Sequence, residues 1–389
     1  MLIERIQQSL RDDGLDGWLF FDHHRRDPLA YRILGIPDSV GATRRWYYLI
    51  PSSGEPRKLV HRIESGALDS LPGVTGTYAS WTEQQNRLKA LLAGVGKIAM
   101  QYSPNCAIPY VSMIDGGTLE LIRACEVTVV SSADLVQEFE AVWTERQFEW
   151  HVEAGQIVDL VRRESFELIT ERLNTGIAVT EFDVQQFILR RFEELGVETD
   201  HGPIVAVNAH ASDPHYEPNC DKYSHIRRGD VVLIDLWAKR KFPDAVYYDV
   251  TWTGFCGESV PDQVQKVFEI VRDAREKACQ FVIAKATSRD TVYGFEVDDV
   301  ARGYITEKGY GDYFFHRTGH SIGTNVHGTG ANMDNLESHD DRRVIPGTCF
   351  SVEPGIYLEE FGIRSEVNVF AGTGYAKVTG EQQKRLVRI

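Results

Sequence analysis

Four carboxylates in this chain stand where strands would bury them. Asp235 ends the apolar run VVLI, Asp249 interrupts VYYDVTWTGF, Glu353 lies between Val352 and Pro354, and Glu366 sits in IRSEVNVF. An ionised carboxylate removed from water needs a cation or hydrogen-bond donors. A basic side chain would have to be found for each of the four, and only Arg364 is close in sequence. His320, in HRTGHSIGTNVHG, completes the set; Gly319 and Gly323 keep its backbone uncluttered. Two aspartates, two glutamates and one histidine carry four negative charges, which two divalent cations neutralise. Oxygen ligands with a single imidazole suit Mn²⁺, with Co²⁺, Fe²⁺ or Zn²⁺ as alternatives. Two such ions about 3.5 Å apart, sharing a bridging hydroxide, would polarise a carbonyl for hydrolysis. Eight of the 12 histidines fall between His201 and His339. A single histidine is most often structural, and His210 and His316 are read that way.

The elements that must position these residues follow from periodicity. Leu2, Ile6 and Leu10 mark an opening amphipathic helix, and WLFF (18–21), WYYLIP (46–51), KIAM (97–100) and VTVV (127–130) read as strands. This alternation predicts an α/β domain over residues 1–140. From Thr144 the texture changes to long helices. One runs through ERQFEWHVEAGQIVDLVRRESFELITERL, a second from Thr180 to Gly196 with Asp183 as a capping-box partner, a third from about Pro261, and a fourth ending at Gly309. Strands are expected at 203–207, 231–235, 247–255, 349–354 and 363–370, giving an α+β domain over residues 141–389.

With 389 residues, 42% hydrophobic and 25% charged, the chain reads as a soluble two-domain protein. Its net charge of −15 argues against nucleic-acid binding. There is no apolar run of membrane-spanning length. The six cysteines form no CxxC pair, and MLIERIQQSLRDDGLDG has no signal-peptide core, so free thiols and a cytoplasmic location are expected.

Five ordered motifs resemble the dinuclear metallopeptidases of the pita-bread (creatinase/aminopeptidase) fold: prolidase, aminopeptidase P and methionine aminopeptidase, with creatinase as a metal-free relative. LIDLWA and VYYDVTWTGF are similar to the family's two aspartate strands. HRTGHSIGTNVHG is similar to HGTGHGIGLxVHE, FSVEPGIY to FTIEPGIY, and GIRSEVNV to GVRIEDxV. The resemblance implies that Asp235 chelates one ion, Asp249 and Glu366 bridge both, and His320 and Glu353 complete the other. Glu353 would also pass the proton from water to the leaving amine. It implies His215 (in PHYEP) and His327 (in VHG) as catalytic and substrate-binding residues. The implied activity is hydrolysis of the Xaa-Pro bond in dipeptides; a Xaa-Pro aminopeptidase acting on longer peptides is the alternative. A metal-free binding protein or creatinase-like enzyme stands behind both, because all five ligands are present. The chain departs from the family in a longer loop, KRKFPDAVY, between the aspartates, in VHG for VHE, and in Ala331 where prolidases often carry an arginine that holds the substrate carboxylate. Arg44 and Arg45, in GATRRWYY, are candidates for that task, with Trp46, Tyr47 and Tyr48 beside them as a surface for a proline ring or as strand core. A homodimer acting on small peptides is expected, since the N-terminal domain resembles one that family members use to pair.

Overall fold

A computed structural model describes residues 2–37 and 39–389. The chain divides into two compact units, Met1–Glu140 and Ala141–Ile389.

In the first unit, α1 (Leu2–Asp12), α2 (Pro28–Leu34), α3 (Trp81–Leu91), α4 (Gly116–Arg123) and α5 (Ala133–Val136) flank a six-stranded sheet. Its strands are β1 (Gly17–Asp22), β2 (Trp46–Pro51), β3 (Arg57–His61), β4 (Val74–Tyr78), β5 (Lys97–Met100) and β6 (Thr128–Ser131), in the order β4-β3-β2-β1-β5-β6. β1, β2 and β3 run antiparallel in turn; β3–β4, β1–β5 and β5–β6 are parallel pairs. Alternation along β2 sends Trp46 and Tyr48 into one apolar cluster with Trp18 and Phe20, and Tyr47 into the opposite one with Leu19 and Phe21. These three aromatics are core residues of the sheet and offer no ring surface to a substrate.

The second unit begins with α6 (Glu145–Thr175) and α7 (Glu181–Leu195). Both start at capping boxes, Thr144 with Gln147 and Thr180 with Asp183. Gly196 ends α7 at φ +72°, a left-handed cap that a Cβ would strain. β7 (Val197–Glu198), β8 (Ile204–Val207), β9 (Val231–Arg240), β10 (Tyr248–Phe255) and the C-terminal β17 (Val387–Arg388) form a sheet around the antiparallel β9–β10 pair. β8 starts one residue after Pro203, which has no N–H to donate to a ladder. α8 (Asp262–Ser288) and α9 (Gly294–Glu307) pack with a second sheet, ordered β11 (Ser321–Ile322), β12 (Cys349–Val352), β15 (Val367–Gly372) and β16 (Tyr375–Thr379). A hairpin of β13 (Gly355–Tyr357) and β14 (Gly362–Arg364) links β12 to β15. All six cysteines are free, and no described helix is long and apolar enough to cross a membrane.

Candidate metal centre

The β9–β10 register sets Asp235 opposite Thr251 and Asp249 opposite Trp237. Ile234, Leu236 and Val250 point the other way, into the core under α6 and α7. One face of the pair is therefore paid to apolar packing and the other carries the acids. On the second sheet, Glu353 follows β12 and Glu366 precedes β15, flanking the paired Val352 and Val367. The two sheets meet where the Glu366 N–H donates to the Thr251 carbonyl (3.1 Å) and the Asn368 amide donates to the Asp249 carbonyl (2.8 Å). His320 enters beside β12, its N–H donating to Ser351 Oγ (2.9 Å). Gly319 makes that approach possible: a Cβ there would lie 1.9 Å from the Ser351 carbonyl oxygen.

All five expected ligands converge. Ligand atoms of Asp249, His320 and Glu366 lie within 4.8 Å of one another. His320 Nε2 is 3.6 Å from Asp249 Oδ2 and 3.4 Å from Glu353 Oε1. Its Nδ1 lies 3.1 Å from the Ser321 carbonyl, so when the ring is neutral, as a metal ligand must be, the proton belongs on Nδ1 and the Nε2 lone pair turns toward the acids. Arg364 pairs with Asp235 Oδ2, donates to Thr251 Oγ1 (3.0 Å) and Tyr357 Oη (3.3 Å), and comes within 3.8 Å of Glu353 Oε2. Thr251 in turn donates to Glu366 Oε2 (2.8 Å), and Ser351 donates to Glu353 Oε1 (3.1 Å). What remains is a set of buried oxygens with no hydrogen-bond partner: Asp235 Oδ1, Asp249 Oδ1 and Glu366 Oε1. Buried carboxylate oxygens are costly to leave unpaired. Three of them, two on residues clustered with His320, fit divalent cations.

The electrostatics express the same deficit. Burial pushes the Asp235 carboxyl up against the pull of Arg364. Burial, and then the charges of Asp235 and Glu353, raise Asp249 to about 7 despite His320. Burial followed by the Asp249 charge pushes Glu366 well above the usual carboxylate range. Glu353 goes the other way: burial disfavours its charge, but the charges of His320 and Arg364 oppose that and hold it ionised. For His320, burial opposes protonation and the neighbouring carboxylates win. Bound cations would relieve the crowding of negative charge.

His327 joins this group, its ring edge-on to His320 with centroids 4.4 Å apart. The charge of His320, then burial, holds His327 neutral, down at about 3. His215 is exposed, and its backbone N–H donates to Asp213 Oδ1 (3.1 Å). Arg44 and Arg45 are exposed residues of the first unit with partners there: the Arg44 N–H donates to Glu64 (2.9 Å) and Arg45 Nη1 to Gln84 Oε1 (3.4 Å). His316 bonds Tyr357 Oη and the Arg317 carbonyl, and burial keeps it neutral at about 4. His210 pairs with the fully buried Glu181 at 3.0 Å. Sequence reasoning does not reach Tyr357, Ser351 or Asn368, although the first two lie in FSVEPGIY and the third in GIRSEVNV.

The model of metallopeptidase family M24 matches residues 149–372. A Xaa-Pro dipeptidase of Lactobacillus delbrueckii subsp. lactis is 27% identical over 60% of this chain and 58% of its own length. The probable dipeptidase PepE of Mycobacterium tuberculosis is 28% identical over 82% of this chain and 78% of its own. The chain thus spans little more than half the length of the first of these relatives. Among solved structures, the dipeptidase PepE of Mycobacterium ulcerans superposes with a TM-score of 0.70 at 22% identity, covering 100% of this chain and 97% of that one, a likeness of fold.

Proposed function

The chain belongs to metallopeptidase family M24, with the pita-bread fold in its second unit, and from that premise we propose that it hydrolyses the Xaa-Pro bond of dipeptides through a dinuclear metal centre. The observation that carries this reading is the trio of buried, unpartnered oxygens on Asp235, Asp249 and Glu366, the last two residues clustered with His320. Asp235 would hold one ion, His320 and Glu353 the other, and Asp249 and Glu366 both. Bound there, divalent ions, Mn²⁺ foremost, supply Lewis acidity toward the peptide carbonyl and lower the pKa of a water nucleophile. Glu353, ionised and tied by Ser351, is the base that takes the nucleophile's proton and returns it to the leaving amine. His327, neutral, offers an N–H to the oxyanion. His215 stands by as a substrate contact, and Arg44 and Arg45 as candidates for the substrate's carboxylate. Ala331, buried and uncharged, gives no such anchor, and this favours a Xaa-Pro aminopeptidase as the second reading.

The deciding assay compares a Xaa-Pro dipeptide with a Xaa-Pro-Yaa tripeptide under Mn²⁺. Dipeptide cleavage that chelation abolishes is expected. Turnover surviving chelation would refute the metal reading, and efficient tripeptide cleavage would move the assignment to the aminopeptidase. A cytoplasmic homodimer is part of the proposal; light scattering should give about twice 44.0 kDa.

A further inference from the structure

Beyond the acids, the same face of β9 carries an ammonium with little to hold. Alternation along the strand aligns Asp235, Trp237 and Lys239. Lys239 is half-buried, its Nζ donating to the Thr324 carbonyl (2.8 Å) and lying 5.0 Å from the centroid of the Tyr247 ring. No carboxylate forms an ion pair with it among the described residues. Exposed Glu198, its register partner on β7, does not close one. An ammonium has three donors, so charge and hydrogen-bonding capacity are left over. Along β9, Trp237 lies between Lys239 and Asp235, its indole N–H fixed by Asp200 Oδ1 (2.8 Å) and its side chain packed against the apolar cluster that contains Tyr247 and Ile322.

The spacing suits a short peptide. Trp237 is opposite Asp249, and Lys239 is two residues further along, about 7 Å at the usual strand rise. An extended peptide covers about 3.3–3.6 Å per residue. One or two residues beyond a bond held at Asp249 therefore bring a chain end within reach of the lysine. We propose that Lys239 binds the C-terminal carboxylate of a short peptide substrate, with Trp237 lining the residue that bears it. This rests on the peptidase reading and supplies, in place of Arg44 and Arg45, the cation that Ala331 does not.

The test uses the metal-loaded enzyme with Ala-Pro, Ala-Pro-Ala and the C-terminal amide of each, in wild type, Lys239→Met and Lys239→Arg. Calorimetry follows binding of proline, Pro-Ala and their amides to the same proteins. Wild type should favour acids over amides. Lys239→Met should raise KM for the acids about tenfold or more, the loss of a charged hydrogen bond, and leave the amides unchanged; Lys239→Arg should retain the preference. The peptide length showing the larger effect identifies which residue bears the carboxylate. Equal effects on acid and amide, or a wild type without preference, would overturn the assignment. If wild type cleaves neither peptide yet still binds acids over amides through Lys239, the Xaa-Pro reading falls and this one stands.

Discussion

Asp22 in the first unit and Asp235 in the second are both sequestered, 1% and 7% exposed, and both follow an apolar run on a strand. Asp22 is fully served. The N–H of Arg26 and Asp27 donate to Oδ1 (2.7 and 3.0 Å), while the N–H of Arg25 (2.7 Å) and the Tyr31 hydroxyl (2.8 Å) donate to Oδ2. Asp235 has Arg364 on Oδ2 and nothing on Oδ1. Glu181 belongs with Asp22: Val207 N–H, Ser224 N–H, Tyr216 hydroxyl and His210 saturate it. Burial of an acid is thus no mark of a metal site. The mark is an acid whose hydrogen bonds the protein leaves unfinished, repeated on neighbouring strands.

The contrast can be broken most sharply at Glu366. Glu366→Ala should lower metal-dependent turnover by more than about a thousandfold, the loss of several kcal/mol of Lewis-acid stabilisation. Metal analysis should show fewer ions per chain. Full activity in that variant would end the dinuclear reading.

Asp22→Ala should do the reverse. It strands four donors, costing about 2–4 kcal/mol in urea unfolding of the first unit, with metal content unchanged.

Arg364→Lys should be milder. Losing the planar fork that spans Asp235, Thr251 and Tyr357 should weaken metal affinity about 10–100-fold by titration calorimetry. An unchanged affinity would make Arg364 a charge balance only.

The smallest signal is a slope. Asp249, raised to about 7 without metal, binds its proton in the folded state at pH values where the unfolded chain, near 3.9, has released it. The chelated protein should therefore lose stability from this group as pH rises from about 4 to about 7, by at most about 1.4 kcal/mol per unit. Metal-loaded protein should lack this loss, so the gap between their unfolding curves should widen with pH; a constant gap would exclude Asp249 as a ligand.

Much of this was legible in sequence because it is local. The capping boxes at Thr144 and Thr180 join residues three apart, and helices α6 to α9 follow from 3.6-residue periodicity. The acids and His320 stood out by their apolar or glycine-rich settings and by the order of five motifs. The hairpin β13–β14 and the two-residue strands β7, β11 and β17 did not, since runs so short carry no period.

The sequence by itself determined which residue types meet, and that they outnumber the basic partners near them. It could not tell WLFFD from VVLID, two apolar runs that each end in aspartate. The tertiary structure decided that. Donors for Asp22 come from the next nine residues, whereas the guanidinium for Asp235 comes from 129 residues away and the hydroxyl for Glu366 from 115. It also buried Trp46, Tyr47 and Tyr48 in their own sheet and, among the described residues, gave Lys239 a carbonyl and a ring but no carboxylate ion pair. Whether a buried charge is satisfied depends on groups brought close only by the packing of two sheets, and no local pattern encodes that.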